Sequence, residues 1–392
     1  MIDFTTQAES LKDELVAFRR DFHIHPELGF EEIRTSGIVA EELTKLQMEV
    51  QTGVGKTGVV GILEGAQDGP TILYRADMDA LPMQEENEVE YASVYPNKMH
   101  ACGHDAHTAI ALGVAKVMSQ HREKIAGRIK FVFQPAEEIV AGAKAMIADG
   151  VLDNPRPDVS LGLHVWNSMP IGKVAVTDGP SMAGSSIFNV TITGKGGHAA
   201  GPHITADPVI CAAQLIIALQ TIVSRNVNPL DSAVLSVTKM QGSDAFNIIP
   251  GQAFIAGTVR TYKVEVRDLI EKRLQEISES LCTAMGCSAE VKMKHTTLPV
   301  ENHPEVAARV RGAFQRMIDP ARIITDERTM GSEDVGLLMA DVPGAYVFLG
   351  SMNEARGLNY GHHHPRFDID EDSLTLGVSL MSAALAEYLI PE

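Results

Sequence analysis

The stretch TILYRADMDAL (residues 71–81) is rich in β-forming residues and contains two acids near its end. A helical segment from about Thr108 to Ser119 follows it, and then a second β-rich run, RIKFVFQPAEE (128–138), which also ends in acids. A third strand-like run lies within residues 158–166. Strands that alternate with helices in this way predict an α/β fold, in which a mostly parallel central sheet has helices on both faces.

The segment from about Gly184 to His295 has a different order of elements, βαββαβ. This order is that of a small ferredoxin-like α+β domain. After it, the strand-like run GAYVFLG (344–350) and a final helix indicate a return to the first domain. We therefore predict a discontinuous domain of residues 1–183 and 296–392, interrupted by a smaller domain of residues 184–295.

The composition argues against several classes of partner. The 392 residues include 33 Lys and Arg but 51 Asp and Glu, and the resulting net charge of −18 has the wrong sign for binding nucleic acid or an anionic membrane. Hydrophobic residues make up 45%, as in ordinary globular proteins. The acidic N-terminal sequence MIDFTTQAESLKDELV and the lack of an 18-residue apolar run predict a cytoplasmic protein without nucleic-acid or membrane partners.

Metal-ligating residue types cluster in MHACGHDAH (99–107). Cys102 and His104 stand two residues apart in a Gly-containing loop before a helix, and thiolate and imidazole both suit zinc and other borderline transition metals. The alternative for this motif is a buried thiol beside a helix-capping Asp105. Four cysteines are too few for a disulfide framework, which favours metal chemistry.

The two acids of QPAEE (134–138) are a second group of candidates. Glu137 and Glu138 follow an apolar strand, at the sheet edge where α/β enzymes place their chemistry. Because adjacent side chains face opposite ways, one acid can bind a metal while the other acts as general base. The alternative is a solvated pair that opens the next helix.

Further candidates stand at other strand ends. His164 ends the apolar run SLGLHVW (160–166), and GHHHPRFD (361–368) contains three consecutive histidines. Asp77 and Asp79 follow a strand, where a carboxylate can hold a ligating imidazole. A single histidine at a strand end is more often structural, but convergence of several such sites favours a metal centre.

The smaller domain contributes three polar candidates. His198 lies in the glycine-rich GKGGHAAGPH (194–203), Asn247 in FNIIPG and Arg260 in GTVRT. These side chains suit a polarised carbonyl and a substrate carboxylate. The alternative for the Gly-Gly segment is a hairpin turn.

An ordered set of motifs covers nearly the whole chain: FRRDFHIHPELGFEE, RADMDALPM, HACGHDAH, QPAEE, GLHVW, GKGGHAA, FNIIP, GTVRT, MGSEDVG and GHHHPRFD. With this set the chain resembles the M20 metallopeptidase family. More narrowly, it resembles the amidohydrolase branch of N-acyl-amino-acid amidohydrolases, hippurate hydrolases and auxin-conjugate hydrolases. Where the wider family has His-x-Asp, this chain has Asp77-x-Asp79, a change that the branch shares and that argues against an aminopeptidase.

The resemblance implies a catalytic domain that binds two divalent transition-metal ions, Mn or Zn foremost and Co or Ni otherwise. The smaller domain would be a lid that mediates assembly into a homodimer or homotetramer. The implied metal ligands are Cys102, His104, Glu138, His164 and His363, with Cys102 bridging the two ions. His363 is chosen among the three histidines because the branch pattern is His-x-Pro and Pro365 fixes that spacing.

The resemblance also implies roles in catalysis and substrate binding. Glu137 would be the general base and Asp79 its orienting partner. His198, from this chain or from a second protomer, would polarise the substrate carbonyl. Asn247 and Arg260 would bind the substrate carboxylate.

The expected activity is metal-dependent hydrolysis of N-acyl-L-amino acids to a carboxylic acid and a free amino acid. The acyl group would be acetyl, benzoyl or a similar aromatic group. A dipeptidase and an N-acetyl-diaminopimelate deacetylase are alternatives within the family, but no acid stands out as the site for a dipeptide's free amino group. A non-catalytic metal-binding protein is the outside alternative, and it would have no use for Glu137 paired with Asp79.

Overall fold

The computed structural model describes residues 2–391, which divide into two compact units. The first unit contains the chain up to Ser181, Glu301–Arg328 and the residues from Leu337 onward. The second unit contains Met182–Val300 and Thr329–Gly336. The predicted boundaries assign residues 329–336 to the catalytic domain, whereas here they group with the second unit. The catalytic and lid roles of the two units stay predictions.

Helices and strands alternate along most of the chain. The helices are α1 Phe4–Ser10, α2 Lys12–Ile24, α3 Ile33–Lys45, α4 His104–Ser119, α5 Gly142–Ala148, α6 Pro208–Arg225, α7 Val264–Ala284, α8 Pro304–Gln315, α9 Val335–Met339 and α10 Asp372–Leu389. The strands are β1 Glu49–Val54, β2 Gly58–Glu64, β3 Gln67–Asp77, β4 Ala126–Gln134, β5 Val159–Pro170, β6 Val174–Ala175, β7 Gly179–Met182, β8 Gly184–Thr193, β9 Gly197–His198, β10 Ala233–Gln241, β11 Ile248–Ile249, β12 Gln252–Thr261, β13 Ser288–His295, β14 Val300–Asn302, β15 Ile323–Ile324 and β16 Gly344–Met352.

The first unit is built on a mixed eight-stranded sheet with the strand order β1-β2-β4-β3-β5-β16-β6-β15. At its centre β3 pairs in parallel with β4 and β5, and β5 pairs in parallel with β16. The last seven residues of β3, from Thr71 to Asp77, are buried, as expected for a parallel strand inside an α/β unit. The predicted α/β fold with a mostly parallel sheet is confirmed.

The second unit has an antiparallel four-stranded sheet with the order β10-β12-β8-β13. In chain order its elements are β8, α6, β10, β12, α7 and β13, which is the predicted βαββαβ arrangement. Leu215 and Leu219 of α6 and Ile270 and Leu274 of α7 belong to the buried core of this unit. The alternating burial of β12 reflects one face on that core and one face away from it.

One helix among residues 2–391, α6, is long and apolar enough by length and composition to cross a membrane. Its buried residues Cys211, Leu215, Leu219 and Ile222 belong to the core of the second unit. Core helices of water-soluble proteins meet the same criterion, so it does not by itself indicate a membrane span.

A buried ionic network fixes the start of α4. Arg19 of α2 is fully buried, and its Nε donates to Oδ2 of Asp105 at 2.9 Å while a terminal nitrogen donates to Oδ1 of Asp368 at 2.6 Å. Nδ1 of His23 lies 2.7 Å from the same Asp105 oxygen. Burial alone would raise the pKa of Asp105, but Arg19 and His23 hold it well below its usual range. Because Asp105 follows His104 in the chain, the network anchors the first turn of α4.

Replacement of Arg19 by Met is expected to lower the free energy of unfolding by about 3–5 kcal/mol, because Asp105 and Asp368 would stay buried without their cation. Arg20→Met is the matched control. The Arg20 side chain is 41% exposed and pairs with Glu371, so its loss should cost about 1 kcal/mol or less. Urea unfolding measures both changes, and equal losses would contradict the assigned importance of the buried network.

Candidate metal centre

The ends of neighbouring parallel strands bring the candidate acids to one edge of the sheet. β3 ends at Asp77 and β4 at Gln134, and these two residues are paired in register. Asp79 therefore follows one strand where Glu137 and Glu138 follow its neighbour. Asp77, Asp79 and Glu137 are all less than a tenth exposed.

Cys102 belongs to two groups of candidate metal ligands. The ligand atoms of Cys102, His104 and His164 lie within 4.8 Å of one another, and so do those of Cys102, Glu138 and His363. Sγ of Cys102 is 3.6 Å from Nε2 of His164. The structure thus brings all five ligands expected from the sequence together, with the thiol shared between the two groups.

The histidine nitrogens in these groups fit metal ligation. Nδ1–H of His164 donates to the carbonyl oxygen of Val165 at 2.6 Å, which leaves the lone pair of Nε2 directed to the thiol. Nε2 of His104 is buried and, within residues 2–391, makes no hydrogen bond. Its neighbours Asp77 and Glu138 are 3.8 and 3.9 Å away. A buried nitrogen without a hydrogen bond is costly unless another ligand satisfies it, and a cation would do so.

Only one of the three consecutive histidines contributes to these groups. Nε2 of His363 lies 3.4 Å from Oε1 of Glu138. His362 instead accepts the N–H of Asn167 through Nε2 at 3.2 Å. Nδ1 of His364 accepts the N–H of Arg366 at 3.0 Å. The geometry therefore favours His363 as the ligand.

The electrostatics of the site favour a positive charge at His104. Burial lowers the pKa of His104, but the carboxylates of Asp77, Asp79 and Glu138 outweigh it and raise this pKa to about 10. Burial and neighbouring histidines hold the pKa of His164 well below its usual value. The acids of the site therefore favour a cation at His104, where a proton or a metal ion meets the same demand, while the surroundings of His164 favour the neutral form that a ligating imidazole needs.

Asp79 holds the backbone of both acids in QPAEE. Its Oδ1 accepts the N–H of Glu137 and its Oδ2 accepts the N–H of Glu138, each at 3.0 Å. Oδ1 also lies 3.3 Å from Nδ1 of His104. Carboxylate oxygens of Glu137 and Glu138 lie within 4.8 Å of a ring nitrogen of His104. Asp79 can therefore orient Glu137 through its main chain, whereas the catalytic roles of both stay predictions.

The sequence reasoning missed the supporting role of His107. Its Nδ1–H donates to Oδ1 of Asp77 at 2.6 Å, and its Nε2 accepts the N–H of Val165 at 2.9 Å. Because both nitrogens are engaged, His107 acts as a support even though it lies near Asp77 and His104. Its position three residues after His104, on the same helix face, was the available signal.

The three polar candidates of the smaller domain lie in the second unit. His198 is exposed and pairs with Ile248, and the carbonyl of Asn247 accepts the N–H of Ala199 at 3.0 Å. His198 thus lies on the short β9–β11 ladder, and Asn247 lies directly before β11. Arg260 on β12 donates to the hydroxyl of Ser332, and burial lowers the pKa of its guanidinium. Their substrate-binding and carbonyl-polarising roles stay predictions.

Most of the chain is similar to proteins of one known family. Residues 73–387 match the peptidase family M20/M25/M40. The chain is 40% identical over 382 residues to the IAA-amino acid hydrolase ILR1-like 4 of Arabidopsis thaliana. The aligned region covers 96% of this chain and 86% of that protein. It is also 40% identical over 369 residues to the N-acetyl-L-cysteine deacetylase of Bacillus subtilis (strain 168). This aligned region covers 93% of this chain and 86% of that protein. A similar solved structure is that of the Bacillus subtilis YXEP protein, a dinuclear metal-binding peptidase of the M20 family. It superposes with a TM-score of 0.85 at 34% identity, and the superposition covers 96% of this chain and 98% of that chain.

Loss of Cys102 is expected to remove more bound metal than loss of a ligand that belongs to one group only. Cys102→Ser should depress Mn or Zn content more than His363→Ala, because the thiol is common to both groups. His364→Ala is the matched control, since that imidazole lies outside the groups. Elemental analysis after dialysis against the metal measures the content. Equal metal content in all three variants would argue against this centre.

Proposed function

This chain belongs to the peptidase family M20/M25/M40 and is a hydrolase acting on amides, and on that premise we propose that it cleaves N-acyl-L-amino acids. The products would be a carboxylic acid and a free amino acid. The acyl group would be acetyl, benzoyl or a similar aromatic group. Two relatives, one named an IAA-amino acid hydrolase and the other an N-acetyl-L-cysteine deacetylase, support this substrate class.

The observation that carries the proposal is the sharing of Cys102 between two ligand groups beside Glu137. One group would hold one divalent ion through His104 and His164, and the other would hold a second ion through Glu138 and His363. Thiolate, imidazole and carboxylate together suit Mn or Zn and also accommodate Co or Ni. Such ions polarise a carbonyl and lower the pKa of a water molecule.

Glu137 performs the proton transfers in this proposal. It accepts a proton from the attacking water and then donates it to the nitrogen of the leaving amine, so that the acid enters and leaves the cycle unchanged. Asp79 keeps Glu137 in position through the main-chain hydrogen bond described above. A general base of this kind contributes roughly 10²–10⁴-fold to the rate.

The remaining assignments rest on the resemblance of the motifs. His198, from the same chain or from a second protomer, would polarise the acyl carbonyl, and Asn247 with Arg260 would bind the substrate carboxylate. Guanidinium and amide donors suit a carboxylate. The protein would act in the cytoplasm on small molecules, without a nucleic-acid or membrane partner.

The decisive assay measures amino-acid release from a panel of N-acyl amino acids and dipeptides, using metal-stripped protein reconstituted with Mn, Zn, Co or Ni. Glu137→Gln should reduce kcat by about 10²–10⁴-fold with the metal content retained, because the variant cannot accept the proton. Release from dipeptides alone would identify a dipeptidase instead. Release only from N-acetyl-diaminopimelate, added to the panel, would identify that deacetylase. Bound metal without any release would leave a non-catalytic metal-binding protein.

Assembly through the second unit is the other part of the proposal. Ile210 and Ile217 of α6 are 53% and 66% exposed and stand seven residues apart, so they share one face of the helix. The opposite face is packed in the core of the unit. An exposed apolar stripe of this kind is typical of an interface between subunits. We therefore propose a homodimer, or a homotetramer built from it.

Ile217→Asp is expected to shift the molar mass in solution towards that of one 42.3 kDa chain, because a carboxylate cannot be buried unpaired in an apolar interface. Ile33→Asp is the control, since Ile33 is 71% exposed but lies in the first unit. Size-exclusion chromatography with light scattering measures the mass. A monomeric wild-type protein would contradict the proposed assembly.

A further inference from the structure

The backbone that carries Glu137 and Glu138 adopts a conformation that non-glycine residues rarely adopt. Ala136, directly before Glu137, has a φ of +53°, and Val140 has a φ of +54°. Left-handed backbone at residues with a Cβ persists only where surrounding contacts hold it. This segment therefore needs an anchor outside itself.

Two buried carboxylates hold three consecutive amides of this segment. Oε1 of Glu32 accepts the N–H of Ala136 at 2.8 Å. Asp79 accepts the next two N–H groups, as described above. The first amide that Asp79 accepts is that of Glu137. Glu32 is therefore the side chain that holds the left-handed residue, Ala136, itself.

Glu32 is fixed in turn by the elements around it. It is fully buried at the start of α3, and its Oε2 accepts the hydroxyl of Thr57 at 2.5 Å. The hydroxyl of Ser36, one turn into α3, donates to the carbonyl oxygen of Thr57. Both oxygens of Glu32 thus have donors, one on the β1–β2 connection and one on the segment after β4.

The chain just before Glu32 packs directly on Ala136. A Cβ at Gly29 would lie 3.1 Å from both Cα and Cβ of Ala136, closer than ordinary contacts allow without a shift. The segment PELGFEE (26–32) therefore encloses Ala136 by close approach at Gly29 and by the hydrogen bond from Ala136 to Glu32. This gives a physical role to an N-terminal motif for which the sequence alone indicated none.

We propose that Glu32 is a positioning residue that holds Ala136 in its left-handed conformation and thereby aims Glu137 and Glu138 into the metal centre. The roles of those two acids rest on the function proposed above. Glu32 itself would contact neither substrate nor metal. Loss of a side chain that hydrogen-bonds a metal ligand directly typically costs about 10–100-fold in metal affinity or activity, and we expect an effect within that range for Glu32.

The test compares Glu32→Ala, Glu32→Gln and Glu42→Ala. Gln keeps a carbonyl oxygen for Ala136 and an amide group for the Thr57 hydroxyl, so it should restore most of what Ala removes. Glu42 is the matched control because it lies on α3, is 9% exposed and is paired with Lys45 and Lys116. Thr57→Val, which removes only the second donor, serves if Glu32→Ala does not fold.

The first readout is amide hydrogen exchange in the metal-free protein, which needs no activity. Glu32→Ala should accelerate exchange in a peptide covering residues 134–142, while Glu42→Ala should leave that peptide at the wild-type rate. Thr57→Val should accelerate it to a smaller extent. Unchanged exchange in Glu32→Ala, or acceleration equal to that in Glu42→Ala, would overturn the proposal.

The second readout separates positioning from general destabilisation. In the reconstituted enzyme Glu32→Ala should lower kcat or the affinity for added Mn by about 10–100-fold, with KM changed less than about threefold and with recovery in Glu32→Gln. Equal losses in the Ala and Gln variants would overturn the proposal. If the wild-type protein hydrolyses nothing in the panel, the proposed function fails, while exchange and Mn affinity still decide the role of Glu32.

Discussion

The parallel pairing of β3 with β4 and β5 is the constraint on which the candidate metal centre depends. Asp77 is paired with Gln134, and Arg75 is paired with Gly162. If the pairing of β3 with β5 is continued by two residues beyond Arg75 and Gly162, His164 lies level with Asp77. Because side chains alternate along a strand, a slip of one residue would turn these groups to the opposite face. The chemistry therefore requires this register as well as the residue types.

Burying so many ionisable groups at one site lowers the stability of the fold. Many of the groups around the site offset this loss by pairing with the buried charges. Asp79 is paired with two main-chain amides, and Asp105 is paired with Arg19 and His23. A buried charge with a partner is tolerated where an unpaired one would destabilise the fold. Most of these partners act on the backbone or on helix termini, so they set the positions of the candidate ligands without belonging to them.

The fold class could be predicted because it leaves local signals, and the residue types of the candidate ligands leave local signals too. The alternation of strands and helices indicated the sheet, and acids or histidines at strand ends indicated one shared edge. The hydrogen bond from Ala136 to Glu32 left no such signal, because it joins residues 104 positions apart. The left-handed backbone of Ala136 is equally invisible, since nothing in the residue type indicates it. The grouping of residues 329–336 with the second unit likewise depends on tertiary contacts.

Asp77 illustrates how a carboxylate can support the candidate ligands without belonging to the groups that contain Cys102. Oδ1 of Asp77 accepts from His107 and Oδ2 accepts from Arg75, both at 2.6 Å, so the carboxylate is committed to the protein. His107, held by Asp77, accepts the N–H of Val165, the residue next to His164. A histidine at position 77 would remove the two carboxylate oxygens to which His107 and Arg75 donate. In the centre proposed above, the thiolate of Cys102 would supply the shared anionic ligand, and the arrangement of His164 depends on Asp77 through His107.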